Sequence, residues 1–114
     1  MEKETEANIQ QLTLLEQNLQ NFLMQKQSFQ LQLMEIDSAL DELKKVKEAF
    51  KIVGNIMVKS DKESLEKELE SSKETFEIRI KNIEKQEKRL REKAAELRKE
   101  VLGKIENEST KKSG

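Results

Sequence analysis

The chain has no cysteine, no proline, no histidine, no tryptophan and no tyrosine, and only three glycines in 114 residues. Without cysteine there is no disulfide framework and no thiolate nucleophile, which suits a reducing compartment; the expected location is cytoplasmic. Without histidine the side chain that most often serves as general base or metal ligand near neutral pH is missing. Four phenylalanines are the only aromatics, too few for a thick globular core. No apolar run approaches the roughly 20 residues of a membrane helix, and the N-terminus has no apolar signal core, so neither membrane spanning nor secretion is expected. The net charge of −1 gives the whole chain no strong pull toward nucleic acid or anionic lipid.

What is present is charge and periodicity. Charged residues make up 39% of the chain and hydrophobic residues 34%. Chains of that kind are either disordered or built as long helices with a narrow apolar seam. The missing prolines and the spacing of the apolar residues decide for helices. In helix 1, expected over about 7–47, one core column holds Leu12, Leu19, Leu33 and Leu40. The other holds Leu15, Phe22, Phe29, Ile36 and Leu43, and only Lys26 interrupts the seam. Helix 2 is expected over about 61–106, opened by a capping box in "SDKE" with Ser60 as the cap and Glu63 reaching back. Its main column is Leu69, Phe76, Ile83, Leu90 and Leu97; a weaker one reads Lys73, Ile80, Glu87, Ala94 and Val101. Glu77–Lys81, Glu84–Lys88 and Glu87–Arg91 have the favourable i,i+4 order. Residues 1–6 are expected to fray, and the polar tail from about 107 to 114 to be disordered.

Between the helices lies "AFKIVGNIMVKS", which breaks the helical pattern. Val, Ile and Ile flank Gly54-Asn55, and glycine in the first loop position suits a type II′ turn. A β-hairpin is predicted over about 50–59, with strands Phe50–Val53 and Ile56–Lys59. If the chain folds back there, facing residues lie at equal distances in sequence from the turn. Leu40 then meets Leu69, Leu33 meets Phe76, Phe29 meets Ile80, Leu19 meets Leu90, Leu15 meets Ala94 and Leu12 meets Leu97. Two independent features, the turn and the heptad columns, thus agree on one antiparallel register. The mixed layers are Ile36 with Lys73, Phe22 with Glu87 and Lys26 with Ile83, where alkyl stems are expected to cover the apolar partner while the charge stays in water. The fold class is therefore all-α dominated: a long antiparallel two-helix coiled coil, one domain over 1–114, with a single β-hairpin at the connecting end.

A lone two-stranded hairpin is marginal in water. Phe50, Ile52, Val53, Ile56, Met57 and Val58 around Gly54 and Asn55 put apolar groups on both faces, and both edges are unpaired. The hairpin reads as a subunit-assembly surface. At the other end, apolar residues on helix 2 outrun their partners on helix 1. Val101 faces Asn8 and Ile105 faces Glu4 in this register, so Ile9, Leu12, Leu14, Val101, Leu102 and Ile105 are expected to form an apolar tip able to hold non-native protein.

Catalysis finds no support: Gly54-Asn55 is too little for a phosphate loop, and the carboxylates are spaced as helix-surface charges. No catalytic residue, cofactor or metal site is assigned. Residues 79–99 hold nine Lys/Arg against four Glu. With no aromatic interleaved to stack bases, a solvated helix face is preferred to a nucleic-acid surface. Met24 and Met34 flank the seam and are read as peripheral packing rather than client contacts.

"FKIVGNIMVKSDKESLEKELE" followed by "RIKNIEKQEKRLREK" resembles the β-type subunits of archaeal prefoldin. The resemblance covers residues from about 8 to 105 and is most specific at Phe50 to Ile56 and at Ile83 to Leu90. "QKQSFQLQLMEIDSALDEL" in helix 1 fits less specifically, and "MEKETEAN" lacks the short Pro-bearing lead of many members. The resemblance implies a hexamer of two α-type and four β-type subunits whose hairpins join in an oligomeric β-barrel platform. It implies an ATP-independent chaperone, a holdase whose coiled-coil tips bind unfolded client proteins and pass them to a group II chaperonin. The single hairpin implies the β type. The partners expected are therefore the α-type subunit, other β copies, clients and the chaperonin, with no nucleic acid and no membrane. The alternative is a coiled-coil adaptor that oligomerises without binding clients; a weaker one is a nucleic-acid binder using helix 2.

Overall fold

Two stretches free of proline and rich in Gln, Glu, Lys and Leu fold as helices, and the β-branched stretch between them folds as strands. The structure, a computed structural model, describes residues 3–113, and the side chains of 3–107. Its elements are α1 (Lys3–Lys45), β1 (Ala49–Val53), β2 (Ile56–Ser60) and α2 (Lys62–Ser113). The chain divides into two compact units. One contains the described parts of residues 1–25 and 83–114, the other residues 26–82.

In the unit of residues 26–82 the two strands pair antiparallel in the register Ala49↔Ser60, Phe50↔Lys59, Lys51↔Val58, Ile52↔Met57 and Val53↔Ile56. Every pair is equidistant from the Gly54-Asn55 turn, as expected. Gly54 has φ +63°, and no other described residue has positive φ. That combination is type II′ rather than I′, and it explains why glycine stands first. Leu40 and Leu43 are buried here, while Phe29, Leu33, Ile36, Leu69, Phe76 and Ile80 are half-buried. The rings of Phe29 and Phe76 lie 5.7 Å apart at 42°, with the Arg79 guanidinium 5.7 Å from each. A cation over two aromatic rings is a favourable electrostatic contact.

In the other unit a cluster of Leu15, Ala94 and Leu97, with Leu12 and Leu90 against it, joins the two helices. Its members fall in the register read from the columns. Ala94 is only 1% exposed, and its small side chain lets the helices approach at Leu15. Leu19 and Phe22 are half-buried and Ile83 is buried. Arg98 bonds Glu16 at 2.8 Å and Lys104 pairs with Glu4 at 3.0 Å, both across the helix pair.

Five expectations are corrected. Helix 1 begins at Lys3, inside the stretch expected to fray, and ends at Lys45 rather than 47. Glu4 and Glu6 oppose the positive helix end, Lys44 and Lys45 the negative one. Helix 2 runs on to Ser113, through most of the tail expected to be disordered. Nothing in "ENESTKKS" forces a break, since it has neither proline nor glycine. The cap of α2 is Asp61, not Ser60. Ser60 is held in the strand ladder opposite Ala49. Asp61 accepts Leu65 N–H at 3.0 Å through its carbonyl and the Ser64 hydroxyl at 3.1 Å through its carboxylate. Glu87 does not keep its charge in water: its side chain is 2% exposed and receives Arg91 at 3.4 Å. Of the three expected i,i+4 pairs, only Glu87–Arg91 forms an ion pair among the described residues.

Candidate functional site

Two surfaces collect the residues singled out in the sequence, one in each unit. On the hairpin, alternation sends Lys51, Val53, Ile56 and Val58 to one face and Phe50, Ile52, Met57 and Lys59 to the other. Neither face is covered. Ile52 and Ile56, on opposite faces, are each 68% exposed, and Phe50, Val53, Met57 and Val58 are exposed as well. Lys51 donates to both carboxylate oxygens of Glu68, at 2.8 and 3.1 Å, which ties β1 to α2. Lys59 reaches Glu48 at 3.5 Å. Beside the strands, Leu43, Val46, Ala49, Phe50, Met57 and Leu65 line an open apolar groove. Val46 stands outside both core columns, so no periodicity marks it; it is exposed and lines this groove beside the hairpin.

Deeper in that unit Asp37 accepts the Lys73 ammonium at 2.9 Å. This hydrogen bond and its charge hold the Lys73 pKa above the usual lysine value. Asp41, Lys44 and Glu70 share the same cleft. No group of His, Cys, Asp or Glu among the described residues is arranged to hold a metal ion.

At the helix ends the six residues expected to form one apolar tip separate. Leu14 and Leu102 are exposed, 60% and 59%, and Ile105 at 40%. Leu102 and Ile105, three apart, share a face of α2, whereas Leu14 stands on α1. Ile9 and Leu12 are half-buried, and Leu12 belongs to the Leu15 cluster. Val101 is buried, which corrects its placement on the open tip. Because α1 begins at Lys3 rather than near residue 7, it lies alongside this part of α2, as Glu4–Lys104 shows. Thr5 is fully buried and its hydroxyl has no hydrogen-bond partner. Met24 and Met34, read as peripheral packing, are exposed instead.

Two helices joined by one exposed two-stranded hairpin are the architecture of a hairpin-bearing coiled-coil subunit. The comparisons with known proteins agree. The prefoldin subunit family profile matches residues 6–108, and the chain belongs to the prefoldin family. It is similar to prefoldin subunit beta of Saccharolobus islandicus, 38% identical over 68 residues that cover 57% of this chain and 54% of that one. It is 41% identical over 68 residues to prefoldin subunit beta of Thermococcus onnurineus, covering 57% and 59%. The aligned stretch spans little more than half the length of these curated relatives. The crystal structure of the prefoldin beta subunit from Thermococcus strain KS-1 superposes with a TM-score of 0.84 at 36% identity, over 90% of this chain and 92% of that one. Among the described residues no helix is long and apolar enough to cross a membrane.

Proposed function

We propose that this chain is a β-type subunit of an ATP-independent holdase. Its hairpin joins α-type and other β-type subunits in a platform, its helix ends hold non-native proteins, and the assembly passes them to a group II chaperonin. The observation that carries this reading is the hairpin. Six apolar side chains stand between 47% and 68% exposed on its two faces. A ladder with two open edges and no covered face is stable only when other strands complete it. Leu14, Leu102 and Ile105 provide apolar contacts that a client can use weakly, and several copies on one platform add avidity.

The test is reconstitution with an α-type partner. Native mass spectrometry reads the assembly, and light scattering of a chemically denatured protein reads aggregation. Suppression without ATP at stoichiometric assembly is expected. A complex that forms but leaves aggregation unchanged would make the chain a structural adaptor.

A further inference from the structure

Within the unit of residues 1–25 and 83–114, away from the helix-end residues, Asn18, Phe22, Gln86, Arg89 and Leu90 line a shallow groove between the two helices. Its floor is apolar, from half-buried Phe22 and Leu90; its rim is the exposed side chains of Asn18, Gln86 and Arg89. The polar groups are two amides and one guanidinium, so the rim offers donors and a positive charge but no carboxylate.

Of the residues that line the groove only Arg89 is charged, and the cations beside it on α2 outnumber the carboxylates Glu84, Glu92 and Glu96. Between residues 7 and 25, α1 carries a single charged residue, Glu16, and Arg98 already occupies it. On α2 the exposed Lys85 and Lys93 stand one turn before and after Arg89, on the same side of the helix. None of the three makes an ion pair among the described residues, Glu92 included, although it is only three residues from Arg89. A row of three unpaired cations beside an apolar floor is complementary to a segment that presents carboxylates next to a large apolar side chain.

We propose that this groove docks an acidic amphipathic segment of a protein partner. An apolar side chain of that segment sits on Phe22 and Leu90, a carboxylate sits on Arg89, and the Asn18 and Gln86 amides take main-chain groups. Nucleic acid fits less well, because the groove offers no exposed aromatic face on which a base could stack. The proposal does not depend on the chaperone reading.

The test uses the full chain and a fluorescein-labelled synthetic peptide of Glu and Leu in helical amphipathic spacing, read by anisotropy at low salt. Saturable binding is expected. Arg89→Glu and Asn18→Glu, both at exposed positions, should each weaken it roughly tenfold or more, as a reversed or opposed charge contact does. Lys99→Glu makes the same charge change as Arg89→Glu away from the groove and should shift binding less than about twofold. A peptide with Ser in place of Leu should also bind roughly tenfold more weakly. Circular dichroism checks that each variant stays helical. The proposal is overturned by absence of saturable binding, by equal losses at Lys99 and Arg89, by undiminished binding of the Ser peptide, or by a single-stranded oligonucleotide that binds more tightly than the peptide and is equally sensitive to Arg89→Glu.

Discussion

The unit that carries the hairpin and the unit that carries the helix ends treat the same kinds of residue differently. In the second, Leu15, Ala94 and Leu97 are nearly sealed by the facing helix. In the first, Ile52, Val53, Ile56 and Met57 are left more than half exposed. A helix pair completes its own apolar seam, because each helix satisfies its backbone internally and needs only one partner face. A two-stranded ladder cannot, because each strand keeps one edge of unpaired peptide groups and two faces. Apolar residues on the helices therefore stabilise the subunit, whereas those on the strands are left uncovered by the chain itself and form the proposed contact with other subunits. Loss of assembly and loss of subunit stability should thus be separable by mutation.

The largest effect should come from the hairpin. Replacing Ile52 and Ile56 together by Lys puts charge on both of its faces. Helical circular dichroism of the isolated chain should stay within a few per cent of wild type, while the assembled species disappears from native mass spectra. Full assembly by the double variant would show that the ladder is not the interface.

A matched pair of leucines sharpens the comparison inside the other unit. Leu15 is buried and Leu14 exposed, one residue apart on the same helix. Leu15→Ala should cost about 2–4 kcal/mol in urea unfolding, from lost burial and the cavity left beside Ala94. Leu14→Ser should change stability by less than about 0.5 kcal/mol, yet reduce aggregation suppression by the reconstituted assembly. Equal destabilisation by both would mean that Leu14 is part of the core; unchanged suppression by Leu14→Ser would remove it from the client surface.

The smallest effect concerns Lys73, which Asp37 holds above the ordinary lysine pKa. A group whose folded pKa is raised contributes stability that is fully present below its unfolded pKa and is lost as pH rises through the folded one. The stability difference between wild type and Lys73→Met should therefore be constant across neutral pH and shrink only in the alkaline range. A difference that vanished on mild acidification instead would assign the effect to the carboxylates around it, Asp37, Asp41 and Glu70.

The hairpin was the most legible feature. Gly54 first in the loop and β-branched neighbours on either side point to one turn type, and the ladder has that register. The seam was nearly as legible: each residue assigned to it, from Leu12 to Leu43 and from Leu69 to Leu97, is buried or half-buried. The tip was the least legible. The register sets polar Asn8 against Val101 and the polar residues 1–6 predict a frayed end, yet α1 is already helical at Lys3 and Val101 is buried. The cap of α2 was misplaced by one residue, since "SD" offers two good caps and only the strand pairing of Ser60 leaves the role to Asp61.

By itself the sequence determined two helices, the type II′ hairpin and the antiparallel register. Each rests on local stereochemistry or a repeating period, so a short stretch of chain carries the whole signal. The tertiary structure alone decided which charges are buried and which apolar groups are not. Glu87 is sealed in and held by Arg91, Thr5 is buried with its hydroxyl unpaired, and Val46, Met24 and Met34 stand in the open. Outside the seam, burial depends on what another part of the chain brings to within a few ångströms, and the repeating period does not encode that.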